Sequence, residues 1–181
     1  MTTRQKTRRL FFALWPPEPV RLSIQTLLSA LTGPLTGRLV PAHNFHITLH
    51  FIGHTSPQTM ACLHAAAQSV RFDSFEMQLD CFGAFPRSNI SWLGMQQKPD
   101  ALLRLHKTLG DALAACDYSV ERRPYSPHLT LARKSMPPPE PLPLFSIAWP
   151  VSEFVLLESV SESSGGQSTV RYKVIEKYPS G

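Results

Sequence analysis

The sequence holds only three cysteines, Cys62, Cys81 and Cys116, widely spaced and with no C-x-x-C pair. An odd count at irregular spacing argues against a disulfide framework and against a thiolate metal site. Reduced thiols in a cytoplasmic protein are the expectation. Long apolar runs are missing too. The basic start, Met1 to Arg9, leads into an apolar stretch lasting only from Leu10 to Trp15, which Pro16 and Pro17 close. That is too short for a membrane span or a signal core, so no membrane association is expected. Acid is the scarcer charge: 13 Asp and Glu face 18 Lys and Arg, a net charge of +5 at pH 7. A mild cationic excess suits an anionic ligand such as RNA, although proteins without a polyanion partner share it.

A metal centre is also not expected. His43, His46, His50 and His54 include spacings of four, which converge on a helix, but the residues among them alternate as a strand. Over eight strand residues His46 and His54 would stand roughly 26 Å apart, too far for one ion. The window holds no Asp, Glu or Cys. No cofactor motif occurs elsewhere.

What is present suffices for one domain over residues 1–181, with 43% hydrophobic residues to build a core. Arg9 to Trp15 reads as a first strand. Prolines 16, 17 and 19 open a helix whose apolar stripe is Val20, Ile24, Leu27, Leu28 and Leu31, ended by Gly33-Pro34. His46 to Ile52 reads as a strand, and Ser56-Pro57 opens a second helix running to about Val70. Strands follow at Phe75–Phe82 and Ile90–Met95, joined by a turn at Arg87-Ser88-Asn89. Asp100 is placed to cap a third helix carrying Leu102, Leu105, Leu109 and Leu113; His128 to Arg133 is again strand-like. Met136 to Pro143 reads as a surface loop. Strands Glu153–Val160 and Thr169–Glu176, joined by the turn Ser161–Ser168, close the chain. Runs of strands mixed with single helices predict an α+β fold with antiparallel sheets.

A short internal repeat carries the functional signal. His46-Ile47-Thr48-Leu49 returns as His128-Leu129-Thr130-Leu131, 82 positions later (128 − 46), so each half of the chain has one copy. Random order of this composition would give about 0.06 occurrences of His-x-Thr-Leu. Alternate strand residues share a face, so each copy offers an imidazole and a hydroxyl on one side and two aliphatic side chains to the core. Two such strands around one cleft supply a general acid, a general base and two hydroxyls for a phosphate. That inventory matches in-line water attack on a cyclic phosphodiester. Spacing leaves open which histidine is acid and which is base.

On these residues the chain resembles the 2H phosphoesterases, and within them the bacterial RNA 2′,3′-cyclic phosphodiesterases, also called 2′-5′ RNA ligases. Further matching stretches are Arg9–Ala13, Asn44–Gly53, Ser91–Met95, Arg123–Arg133 and Val151–Leu156. The resemblance implies two lobes about a pseudo-two-fold axis, with antiparallel sheets, helices on the outer faces and a central cleft. It implies metal-independent hydrolysis of RNA 2′,3′-cyclic ends to 2′-phosphates, with His46 protonating the ribose 3′ oxygen and His128 activating water. Ligation would be the same chemistry reversed. Thr48, Thr130 and Arg133 would hold the phosphate. Arg133 lies at an odd offset from His128, so a regular strand points it away from the cleft and only a bend brings it in. The alternatives are a nucleotide- or RNA-binding module of the same fold, or a phosphodiesterase for another cyclic or 2′-5′ linked nucleotide.

Other residues are secondary. His50 shares the strand parity of His46 and Thr48 and is expected on a solvated face. His64 and His106 are expected on helix surfaces. Phe11, Trp15, Trp92 and Tyr125 are candidates for base stacking but fit the core as well. Arg122-Arg123 suits a phosphate backbone or plain solvation. A monomer is expected.

Overall fold

The computed structural model describes residues 7–31, 35–136, 142–164 and 167–181, and the burial of all of these but 163, 164, 167 and 168. The elements run β1 (Arg8–Leu14), α1 (Glu18–Ser29), β2 (Arg38–Leu39), β3 (Ile47–Thr55), α2 (Pro57–Ser69), β4 (Phe75–Leu79), β5 (Cys81–Phe85), β6 (Ile90–Gly94), α3 (Asp100–Leu113), β7 (Leu129–Arg133), β8 (Ile147–Val151), β9 (Glu153–Ser164) and β10 (Gln167–Pro179). The fold is α+β as expected, with every strand pair antiparallel. No described helix is long and apolar enough to cross a membrane.

Each helix starts where local chemistry permits it. Ser56 caps α2, its Oγ accepting from the Thr59 backbone N–H at 3.2 Å, and Pro57 takes the first helical position, where no N–H is needed. Asp100 does not cap α3. Pro99 does, and Asp100 is the first helical residue, where its charge meets the positive end of the helix dipole. On α1 the expected stripe is buried at Val20, Ile24 and Leu27 and half-buried at Leu28 and, past the helix end, Leu31, and on α3 it is buried at Leu102, Leu105, Leu109 and Leu113. Gly33-Pro34, the centre of the loop after Met136 and the tip of the last hairpin lie outside the described residues.

The main sheet runs β10-β9-β1-β3-β7-β6-β5, with β2 on β7. Its two halves meet where β3 pairs with β7 through one residue pair, Ile47 with Leu129. These positions are equivalent in the repeat, each following its histidine. Two equivalent residues paired antiparallel across a junction are what a local two-fold axis requires. Leu10, Phe12, Leu14, Ile47, Leu129 and Leu131 turn into the main core with the helix stripes. Burying such side chains stabilises the fold by about 1.5–3 kcal/mol each. On the other face of β1, Phe11 and Ala13 form a small cluster with Val155 and Leu157, against which Trp15 and Tyr172 pack.

Several expectations need correction. Phe75–Phe82 is two strands, parted at Asp80, whose carboxylate accepts from the Gln96 N–H at 2.8 Å. The last hairpin is longer, its strands reaching Ser164 and starting again at Gln167. β8 was not anticipated; it pairs with β4 as a separate ribbon and contains Pro150, a residue that argues against a strand unless it lies at an edge. Cys62 and Cys116 are not free thiols. They form a disulfide joining α2 to the turn after α3, while Cys81 is free. The expectation of a reducing compartment loses that support.

Candidate active site

Both motif histidines sit just before their strands rather than in them, held in the same way. His46 Nδ1–H donates to the Asn44 carbonyl at 2.7 Å, and His128 Nδ1–H to the Ser126 carbonyl at 2.8 Å. A carbonyl only accepts, so Nδ1 carries the proton and Nε2 is the nitrogen left for a ligand. The two carbonyls are again 82 positions apart (126 − 44), so the repeat extends to the anchoring of the rings. Asn44 is itself tied down. Its side chain donates to the Val170 carbonyl at 2.7 Å and accepts from the Tyr172 N–H at 3.1 Å, clasping the backbone of β10. This residue was not singled out from the sequence; its place two before the histidine was the available signal.

His46, Thr48, Thr130 and Arg133 line one cavity of about 520 Å³ with Arg9, Arg38, Phe51 and Tyr172. His128 stands beside that lining, edge-on to Phe85 with ring centres 4.8 Å apart and 6.3 Å from Trp92. Gly83 makes this flank possible, because a Cβ there would collide with the Trp92 ring. Three arginines and no carboxylate face the cavity among the described residues, a lining suited to an anion.

Arg133 reaches the cavity because β7 is irregular. Ser91 pairs with Ala132 but Trp92 pairs with Thr130, so Leu131 is an extra residue and the strand's parity changes there. Leu131 and Ala132 are both buried, and Thr130 and Arg133 come to one side. The first copy has the same irregularity. Phe12 pairs with His50 and Ala13 with Thr48, leaving Leu49 extra. There the change turns His50 into the protein and Phe51 to the cavity, where the Arg9 guanidinium lies 5.0 Å over its ring.

His50 is therefore not a solvated strand residue: it is 2% exposed. Its Nε2–H donates to the His106 carbonyl at 2.8 Å and its Nδ1 faces the Tyr118 hydroxyl at 3.3 Å. Helix α3 comes this close because residue 110 is glycine; a Cβ there would lie 2.9 Å from the His50 ring. His106, expected on a surface, is stacked between His50 and Tyr125, at 4.3 and 3.8 Å. Tyr125 does not face the cavity; its hydroxyl donates to the Thr48 carbonyl at 2.9 Å, linking the approach to His128 with the first motif. Phe11 and Trp15 do flank His46, at 5.1 and 6.4 Å. Arg122 and Arg123 are exposed, and Arg123 pairs with Glu121 at 2.7 Å. His64 is half-buried, 2.9 Å from the Tyr178 hydroxyl. Among the described residues no group of three His, Cys, Asp or Glu side chains is placed to hold a metal ion.

The electrostatics favour neutral imidazoles in the empty cleft. Burial pushes His46 down to about 4, opposed by its bond to Asn44 and assisted by the charges of Arg133 and His128. His128 is lowered by burial and by Arg133. An anion held among these groups would offset the repulsion and favour protonation of one ring.

Comparison with known proteins identifies the family. The family model described as the 2′-5′ RNA ligase superfamily matches residues 16–162. The chain is 33% identical to the RNA 2′,3′-cyclic phosphodiesterase of Escherichia coli, over 94% of this chain and 96% of that protein. It is 31% identical to the protein of that name from Thermus thermophilus, over 94% and 89%. A crystal structure of E. coli LigT complexed with 3′-AMP superposes with a TM-score of 0.82 at 32% identity, covering 97% of this chain and 99% of that one. A crystal structure described as a phosphoesterase gives 0.85 at 32% identity, over 97% and 99%. With the model match and these full-length relatives, the chain belongs to the 2′-5′ RNA ligase superfamily and has the 2H phosphoesterase fold.

Proposed function

We propose that the chain hydrolyses RNA 2′,3′-cyclic phosphate ends to 2′-phosphomonoesters without a metal ion, within a single 1–181 domain acting as a monomer. The observation that carries this reading is the pair of imidazoles, each with Nδ1 committed to a backbone carbonyl, beside one arginine-lined cavity that also receives both motif threonines. The names of the relatives point the same way. One chain supplies every group the reaction needs.

The cyclic phosphate lies with its non-bridging oxygens toward Thr48, Thr130 and Arg133, whose hydroxyls and guanidinium donate to them. Nε2 of neutral His128 takes a proton from water as that oxygen attacks phosphorus. The bond from phosphorus to the ribose 3′ oxygen breaks on the opposite side, and Nε2–H of His46 gives that oxygen its proton. The product is a 2′-phosphate with a free 3′-hydroxyl, and the proton balance leaves His128 charged and His46 neutral. His46 must acquire its proton when the anionic substrate enters, because in the empty cleft it titrates at about 4. An RNA 5′-hydroxyl in place of water gives a 2′-5′ linkage by the same steps.

The test is turnover of 2′,3′-cyclic nucleotides with excess EDTA present. Persistent formation of 2′-nucleotide is the expected result. Loss of activity in chelator, restored by a divalent ion, would contradict the metal-free chemistry. Tight binding with no turnover would favour a binding module.

A further inference from the structure

A second hollow of about 370 Å³ adjoins the first, sharing Tyr172 as a wall. Trp15, Arg21, Gln25, His43 and Arg171 line it, from the link after β1, helix α1, the turn before His46 and β10. Glu18 is its one carboxylate among the described residues, paired with Arg21 at 3.0 Å and with its side chain 64% exposed. Arg171 is exposed and has no carboxylate partner among the described residues. The wall between the two hollows is aromatic: Trp15 lies parallel to the His46 ring at 6.4 Å and Tyr172 edge-on at 5.0 Å.

We propose that this second groove holds the RNA on the 5′ side of the reacting nucleotide, with a backbone phosphate on Arg171 and Arg21 and a base against Trp15. This rests on the reading that His46 protonates the 3′ oxygen. In that arrangement the ribose, and the chain attached to it, lies on the His46 side, while water enters beside His128. The two flanks differ accordingly. The His128 flank has Phe85 and Trp92, whereas the His46 flank continues into a groove with two guanidiniums, an imidazole and an indole. Guanidiniums suit phosphate and an indole suits a base, and their presence together in one groove that adjoins the first cavity fits a single strand better than a second small molecule. The chain would thus distinguish an RNA end from a free cyclic nucleotide without reading sequence.

The experiment compares a 2′,3′-cyclic mononucleotide with a tetranucleotide ending in the same cyclic phosphate, in the whole protein and in Arg171→Ala and Arg171→Glu. The tetranucleotide should have the higher kcat/KM at low salt by about ten-fold, the scale of one phosphate contact. Arg171→Ala should remove most of that advantage, and Arg171→Glu should reverse it, with mononucleotide turnover within about two-fold. Added salt should erode the advantage in the unaltered protein and have a shallower effect in Arg171→Ala. Binding of 2′-phosphate-ended mono- and tetranucleotides, followed by tryptophan fluorescence, should show the same pattern. Equal kcat/KM for both substrates, or an advantage untouched by Arg171→Glu, would overturn the proposal. If neither substrate turns over, the hydrolytic reading has failed, and the binding comparison in the same variants still decides the groove.

Discussion

Thr48 and Thr130 differ from the histidines they follow in what their loss removes. A hydroxyl donating to a phosphate oxygen contributes about 1–3 kcal/mol, so Thr48→Ala and Thr130→Ala should each lower kcat/KM by roughly ten- to a hundred-fold. Steady-state kinetics on a cyclic nucleotide checks this, and a threonine variant as inactive as a histidine variant would demand a larger role than holding the phosphate. These residues were legible in the sequence because the doubled tetrapeptide names them directly. His50 and Arg133 were not. Strict alternation put His50 on the cleft side and Arg133 away from it, and one extra residue, Leu49 in one copy and Leu131 in the other, reverses both placements. A bulge carries no composition signal when the extra residue is another leucine that finds a place in the core. Asn44 was hidden for a different reason: its partners are backbone atoms of β10, 126 and 128 positions away.

The three helices are legible in the sequence because each has an apolar period and a proline or serine at its start. The disulfide is not, since nothing in the spacing of Cys62 and Cys116 says that α2 lies against the end of α3. Its loop spans 54 residues, and closing a loop of that length in the unfolded chain stabilises the fold by roughly 4 kcal/mol in the chain-entropy model. Reduction, or Cys62→Ser, should therefore lower Tm by roughly 10 °C. Turnover at 25 °C should be nearly unchanged, because the bond joins α2 to the turn after α3 and neither cysteine lines the cavity that holds His46 and the motif threonines. Thermal scans with and without reductant, alongside a rate measurement, check both halves. An unchanged Tm, or activity lost while the fold persists, would contradict this account.

For the whole molecule, the buried and half-buried imidazoles couple folding to pH. His46 and His106 are pushed down to about 4 by burial, with repulsion from other cationic groups adding to it, and burial also lowers His50. In the unfolded chain a histidine titrates near 6.5. As pH falls through 6.5 the unfolded chain therefore binds protons that the folded chain refuses. The stability these groups contribute is fully present above about 6.5 and is lost progressively toward 4. Urea midpoints should fall between pH 7 and 5, before most carboxylates titrate; a flat midpoint across that range would contradict the neutral folded state of these rings.

The two-fold relation between the halves makes a stronger demand, that two equivalent histidines act as one device across a single phosphorus. His46→Ala and His128→Ala should each cost about 10²–10⁴-fold in turnover while circular dichroism and 2′-nucleotide binding are largely preserved. Because the two rings belong to one proton relay, the double variant should lose much less than the product of the single losses. The rate should follow a bell in pH whose limbs belong to the coupled pair. Turnover of a 2′,3′-cyclic nucleotide by the single and double variants is the direct measurement: strong, non-multiplicative losses in folded protein are the predicted result, and a folded His128→Ala chain with near-normal turnover would contradict the account.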